Sequence, residues 1–306
     1  MDNNTIENNI VPEVEIAEKK THPAMLVFGW LLMFLLSYVL LIVGQILGGF
    51  VALIPIMTSS DAWITSTMYF QFIGIWVVFI VFMLIYKKDR AIISKFGTKE
   101  KGNNFKFFML GILLGFLMNG VCILVAWLNK DIYMYYDGFD PLMLIIVFIA
   151  VFIQSSAEEL VCRGFLYQRL IRIYKNPWVA IILNSAFFGC LHLMNPGVTF
   201  LSIVNIVVVG IFFSLFVYYY DSIWAAMAMH AAWNYCQNIV FGLPNSGQVV
   251  PFSILKLDAS TAKDSFAYNV GFGIEGTLFA DIVLALGCVV LIILGQRKKK
   301  KLENAA

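Results

Sequence analysis

LMLIIVFIAVFIQSSAEELVCRGFLYQRL, residues 142 to 170, is apolar for its first twelve residues and then sets Glu158, Glu159 and Arg163 in the same run. The stretch exceeds the roughly 17–25 residues that a helix needs to cross a bilayer. Ionisable side chains in hydrocarbon cost at least about 2–3 kcal/mol each, so they persist mainly where they line a polar cavity, pair with one another or do chemistry. Two more stretches repeat the anomaly: FGCLH (188–192) and HAAWN (230–234) each set a histidine in an otherwise apolar span.

The rest of the chain agrees with a membrane setting. Its 306 residues are 60% hydrophobic and 13% charged, with a mean hydropathy of +0.82, against an apolar share of about 45–50% in soluble domains. Apolar runs near 25–48, 63–86, 107–128, 142–170, 178–194, 198–219, 223–242 and 277–295 predict an all-α, polytopic membrane bundle of about eight helices. The expected organisation is a disordered cytoplasmic tail over 1–22, a transmembrane bundle over 23–296 whose motif region is 140–242, and a basic cytoplasmic tail over 297–306. With the N-terminus inside, the cytoplasmic segments, Arg163 counted among them, carry 18 of the 21 lysines and arginines, and only Lys130, Lys256 and Lys263 fall outside. Positive charge is retained on the cytoplasmic side, so both termini are expected there.

Cys122, Cys162, Cys190, Cys236 and Cys288 all fall in predicted spans and are odd in number, which does not indicate a disulfide framework. The first apolar run follows no basic region and is too long for a cleaved signal, so it reads as a retained span. Residues 87–106 read as a basic cytoplasmic loop beside the headgroups. Residues 243–276, rich in turn formers, either cap a cavity mouth or merely connect two spans.

At helical spacing Glu159 and Arg163 are i, i+4 neighbours, and Glu158 is turned about 100° from them. A structural ion pair accounts for Glu159 and Arg163, whereas Glu158 has no obvious partner and is the better candidate for a working carboxylate. His192 shares a face with Phe188, and His230 with Asn234. Each histidine alone is more often a hydrogen-bonded packing residue, and it is their occurrence together with the glutamates that favours a site. Counted along helices at about 1.5 Å per residue, Glu158, His192, His230 and Asn234 sit roughly 14–21 Å from the inner ends of their spans, so three helices can bring them together. Such a set suits hydrolysis: a carboxylate takes a proton from water, one imidazole orients that water, and a second imidazole with a carboxamide supports the oxyanion. Two histidines and a carboxylate, His192 and His230 with Glu158 or Glu159, can alternatively hold Zn²⁺. No HExxH helix and no GxSxG elbow occurs. A Glu/His proton relay in a transporter is a competing reading, though no inverted repeat is recognisable.

The ordered motifs EExxxR, FxxxH and HxxxN, here Glu158-Glu159 to Arg163, Phe188 to His192 and His230 to Asn234, resemble those of the CAAX protease and bacteriocin-processing (CPBP) family of intramembrane proteases. The likeness covers roughly 140–242, and no motif residue departs from the pattern. It implies a peptidase in which Glu158 activates water with His192, His230 and Asn234 form the oxyanion hole, and Glu159, Arg163 and Phe188 support them. It leaves the cofactor open between none and Zn²⁺. The partners it implies are a peptide or protein substrate at the membrane and the lipid bilayer, with no nucleic acid, and the expected location is the plasma membrane of a bacterium. Because the family includes self-immunity members, a non-catalytic scaffold with this fold is a further reading.

Overall fold

In the computed structural model, which describes residues 23–53 and 60–304, the chain is almost wholly helical. The expected tail over 1–22 lies outside the described residues. The helices are α1 (Pro23–Gly49), α2 (Asp61–Phe70), α3 (Ile73–Ile85), α4 (Phe105–Leu128), α5 (Pro141–Glu159), α6 (Tyr167–Ile173), α7 (Pro177–Cys190), α8 (Phe200–Tyr220), α9 (Ile223–Tyr235) and α10 (Leu278–Glu303). Two three-residue strands, β1 (Met134–Tyr136) and β2 (Leu255–Leu257), pair antiparallel between the loops.

Among the described residues six helical segments are long and apolar enough to cross a membrane: Leu26–Gly49, Asp61–Ile85, Phe105–Leu128, Pro141–Ile173, Phe200–Tyr220 and Leu278–Glu303. The eight expected runs take the form of six full spans and two shorter helices, α7 and α9. Helix α7 stops at Cys190, which leaves His192 in a turn beyond the helix rather than within a span reaching 194. Helix α9 is buried at nearly every position by its neighbours, so its histidine, tryptophan and asparagine need not face lipid. The basic run 297–303 continues α10 as its last turns. Arg163 is no cytoplasmic charge: it is buried in the bundle. The five cysteines are free thiols.

Helix α9 is the axis on which the site is built, and its position is fixed from both ends. Ser222 caps it, accepting from the Ala225 N–H and donating to the Gly102 carbonyl. Asn103 Oδ1 accepts from the N–H groups of Ile223 and Trp224. Three of the donors that a helix start leaves without partners are satisfied in this way. Along its length α9 packs on α4, where Gly111 and Gly115 let the backbones close up: a Cβ at Gly111 would lie 2.4 Å from the Ala225 carbonyl oxygen, and one at Gly115 2.4 Å from that of Met229. Small residues four apart are the means by which membrane helices approach closely without a hydrophobic driving force.

Two stretches depart from α-helical pitch, Leu160–Leu166 after α5 and Cys236–Val240 after α9, both π-helical. The first overlaps the EExxxR motif and contains Arg163, and the second directly follows HAAWN; insertions of this kind cluster at functional sites.

Gly115→Ala should lower stability by roughly 1–3 kcal/mol through overpacking, although alanine is the better helix former. Gly120→Ala, on the same helix with nothing within 4 Å of its added Cβ, should leave melting unchanged or raise it. Equal melting of the two variants in detergent would refute the close-packing account of α4 and α9.

Candidate active site

Five of the sequence-derived residues line one cavity of about 520 Å³: Glu158, Phe188, His192, His230 and Asn234. The size suits a short peptide segment, since small-ligand pockets run about 300–1,000 Å³. Apolar side chains of α1 to α3, among them Leu41, Phe72 and Ile75, form one wall, and Asn245, Ser246 and Glu275 of the 243–276 loop form another. The loop therefore does cap the cavity mouth.

The two adjacent glutamates part company. Glu159 is fully buried and accepts from Arg163 Nη1 at 2.9 Å. The same oxygen lies 3.0 Å from His230 Nδ1. Arg163, itself fully buried, donates through Nη2 to the Gly210 carbonyl at 2.9 Å, and its guanidinium sits 4.6 Å from the centre of the Phe188 ring and 5.3 Å from that of Phe213. A planar guanidinium pairs and stacks at once, which a lysine cannot do. Glu158 faces the cavity: one carboxylate oxygen accepts from Gln154 Nε2 at 2.6 Å, and the other lies 3.7 Å from His230 Nε2. Glu158 thus has the partner that sequence spacing did not reveal.

The histidines are held in opposite senses. His192 Nδ1 lies 2.9 Å from the Phe188 carbonyl oxygen, which can only accept, so Nδ1 carries the proton and a neutral ring keeps a lone pair on Nε2. Its ring meets Phe188 edge to face, with centroids 4.8 Å apart. His230 is gripped between Glu159 and Glu158 and stacks on Phe213. Asn234 donates through Nδ2 to Gln154 Oε1 at 3.2 Å and to Ser155 Oγ at 3.1 Å, and its Oδ1 accepts from Asn245 Nδ2 at 3.1 Å.

Sequence reasoning missed Gln154, Ser155, Asn245 and Glu275. The first two sit one turn before Glu158 and could have been found as polar residues at i−4 and i−3. Asn245 and Glu275 belong to a loop whose docking carries no periodic signal. Burial raises the Glu275 carboxyl from its ordinary value, and hydrogen bonds from Gln237, Trp233 and Ser246 oppose that rise. Among the described residues no group of three or more His, Cys, Asp or Glu side chains is arranged to hold a metal. His192 and His230 each engage Nδ1 with an oxygen, which fixes the ring and leaves Nε2 to the cavity.

Fold and site define a polytopic membrane protein with a cavity among its helices that two histidines and the Glu158 carboxylate line. Residues 140–236 match the family model described as Rce1-like, type II CAAX prenyl endopeptidase, so that segment, which carries all three motifs, is similar to the CPBP proteases. The chain is also 50% identical over 48 residues to Uncharacterized protein YyaK of Bacillus subtilis (strain 168), a stretch covering 16% of this chain and 16% of that one.

Removing one partner of a buried ion pair costs about 3–5 kcal/mol, because the other charge is stranded. Arg163→Ala should accordingly lower yield and melting temperature along with activity, and Arg163→Lys, which cannot reach Glu159 and Gly210 together, should recover little of either. Normal melting with selective loss of activity would instead assign Arg163 to substrate binding.

Proposed function

We propose that the chain is an intramembrane endopeptidase that hydrolyses a peptide bond in a membrane-proximal or lipidated peptide or protein substrate, with Glu158 as the base that activates water. The observation that carries this reading is the division between the glutamates: Glu159 is committed to Arg163 and His230 in the interior, and Glu158 is presented to the cavity. A carboxylate with one oxygen oriented by Gln154 keeps lone pairs for the proton of a water molecule.

In this mechanism water held between Glu158 and the Nε2 lone pair of His192 gives a proton to Glu158 as its oxygen bonds to the scissile carbonyl carbon. The carbonyl oxygen takes up negative charge. His230 and Asn234 support that charge, each under a constraint the geometry imposes. With its Nδ1 proton given to Glu159, His230 donates from Nε2 only as the imidazolium. Asn234, both of whose amide hydrogens are engaged, serves the oxyanion by exchanging one of them from Gln154 or Ser155. Collapse of the adduct then breaks the C–N bond, and the proton held by Glu158 leaves with the amine. Glu159, Arg163 and Phe188 hold His230 and the cavity floor.

The strong bias of lysine and arginine supports a bundle with both termini in the cytoplasm, and the plasma membrane of a bacterium is the location this reading proposes. Peptide or protein substrate and surrounding lipid are the partners this reading requires.

Glu158→Gln keeps the shape and the contact to Gln154 but removes the base, and should lower turnover by about 10²–10⁴-fold with the fold intact. Peptidomics of cells carrying wild type or Glu158→Gln identifies the peptides whose release depends on this side chain. Turnover by the purified variant within about threefold of wild type would remove Glu158 from the chemistry.

His230→Ala and Asn234→Ala should each lower kcat by roughly 10²–10³-fold, the loss expected for one strong oxyanion donor, with smaller effects on KM. If both variants raise KM alone, they hold substrate uniformly and the oxyanion assignment is wrong.

A further inference from the structure

Glu275 is a second buried carboxylate in the cavity wall, and the mechanism above makes no use of it. It is 6% exposed and belongs to the loop that caps the cavity, far in sequence from every motif. Both its oxygens are saturated by donors: Oε1 accepts from Trp233 Nε1 at 3.0 Å and Asn245 Nδ2 at 3.0 Å, and Oε2 accepts from Gln237 Nε2 at 2.7 Å and the Ser246 N–H at 3.2 Å. Gln237 is itself oriented by Asn119 of α4, which donates to Gln237 Oε1 at 2.7 Å.

From Glu275 an unbroken line of hydrogen bonds runs to Glu158 through three amides. Asn245 Nδ2 has two hydrogens, one for Glu275 and one for Asn234 Oδ1; Asn234 Nδ2 donates to Gln154 Oε1; Gln154 Nε2 donates to Glu158. An amide is nearly symmetric in shape but not in polarity, and a carboxylate only accepts. With an acceptor fixed at each end, Asn245 must turn its NH₂ toward both Glu275 and Asn234. Asn234 must then turn its oxygen to the loop and its NH₂ into the cavity. Without Asn245 the Asn234 amide is directed from the Gln154 and Ser155 side alone and its oxygen loses the donor it faces, so the flipped form, which would present an oxygen where the oxyanion's donor belongs, is no longer opposed from the loop.

We infer that Asn245 and Glu275 are positioning residues of the proposed peptidase, which set the direction of the Asn234 amide and, through Gln154, of the Glu158 carboxylate. The inference rests on the endopeptidase reading and adds to it that the site is completed by the 243–276 loop. Its consequence is that the loop acts on the chemical step rather than only on substrate access.

The test uses the full-length protein in detergent and a synthetic peptide spanning a cleavage site that depends on Glu158. Asn245→Ala should lower kcat on the order of 10–100-fold, as displacement of a catalytic group by about 1 Å does, with KM changed by less than about threefold and melting unchanged. Asn245→Asp, nearly isosteric but with an acceptor facing two acceptors, should be worse than Asn245→Ala; a side chain that only fills space would show the reverse order. In an Asn234→Ala background, Asn245→Ala should cost nothing further, because its target is gone. If Asn245→Ala melts below the assay temperature, Asn245→Ser, whose hydroxyl keeps one donor, carries the same comparison. A kcat within about threefold of wild type, or losses that multiply in the double variant, overturns the positioning role while leaving the peptidase reading standing. A Glu158→Gln protein as active as wild type sinks that reading itself.

Discussion

One buried guanidinium organises this bundle. Arg163 has no water to solvate it, and an uncompensated ion in such a place is untenable. Its charge is answered by the Glu159 carboxylate one turn earlier and by groups distant in sequence, the Gly210 carbonyl of α8 and the faces of Phe188 on α7 and Phe213 on α8. Satisfying one side chain therefore locks α7 and α8 against the π-helical stretch after α5. Glu159 is at the same time the acceptor for His230 of α9, so the fourth helix is tied to the same charge. The positions of Phe188 and His230 around Glu158 are consequences of neutralising Arg163. A packed apolar core of equal volume would hold the helices together, but it would specify no direction for a histidine ring.

Backbone geometry supplies what side-chain pairing alone does not. In a straight α-helix Glu159 and Arg163 share a face, and the rows above them follow at fixed pitch. The π-helical stretch Leu160–Leu166 inserts extra backbone within one turn and shifts the register of everything beyond it. A second such stretch, Cys236–Val240, follows α9 and carries Gln237 and Asn238 into the polar region beneath the capping loop. Freed backbone groups are tolerated at these points because both stretches are enclosed by protein rather than by lipid.

The helices and the motif-bearing faces were legible in the sequence, because hydropathy over some twenty residues and i, i+4 spacing are local properties. The pairing of Glu159 with Arg163 and the meeting of Glu158, His192, His230 and Asn234 in one cavity followed from counting along helices. Three things did not follow. The end of α7 at Cys190 was hidden because FGCLHLM remains apolar past the last helical turn, so hydropathy could not mark where His192 leaves the helix. The brevity of α9 was masked by its setting: a helix enclosed by others is freed from the length that lipid imposes. The cap formed by Asn245 and Glu275 depends on contacts across 30 or more residues of irregular chain, for which no periodicity exists to be read.

The division of labour between short and long range explains why the site is both exact in direction and easy to overlook. Motif helices deliver heavy atoms to the cavity, since a helix fixes where Cβ points. They do not decide which end of a carboxamide is the donor, because rotation about the last torsion exchanges nitrogen and oxygen at almost no steric cost. In a region of low dielectric that choice has large electrostatic consequences, and it must be imposed by partners of fixed polarity. Glu158 supplies one such partner at the base of the cavity, and Glu275 supplies the other from the loop. Between two groups that only accept, every amide in the line has a single consistent orientation. The polar network thus converts two carboxylates into a direction for Asn234, which neither the motif helix nor the cavity shape could specify by itself.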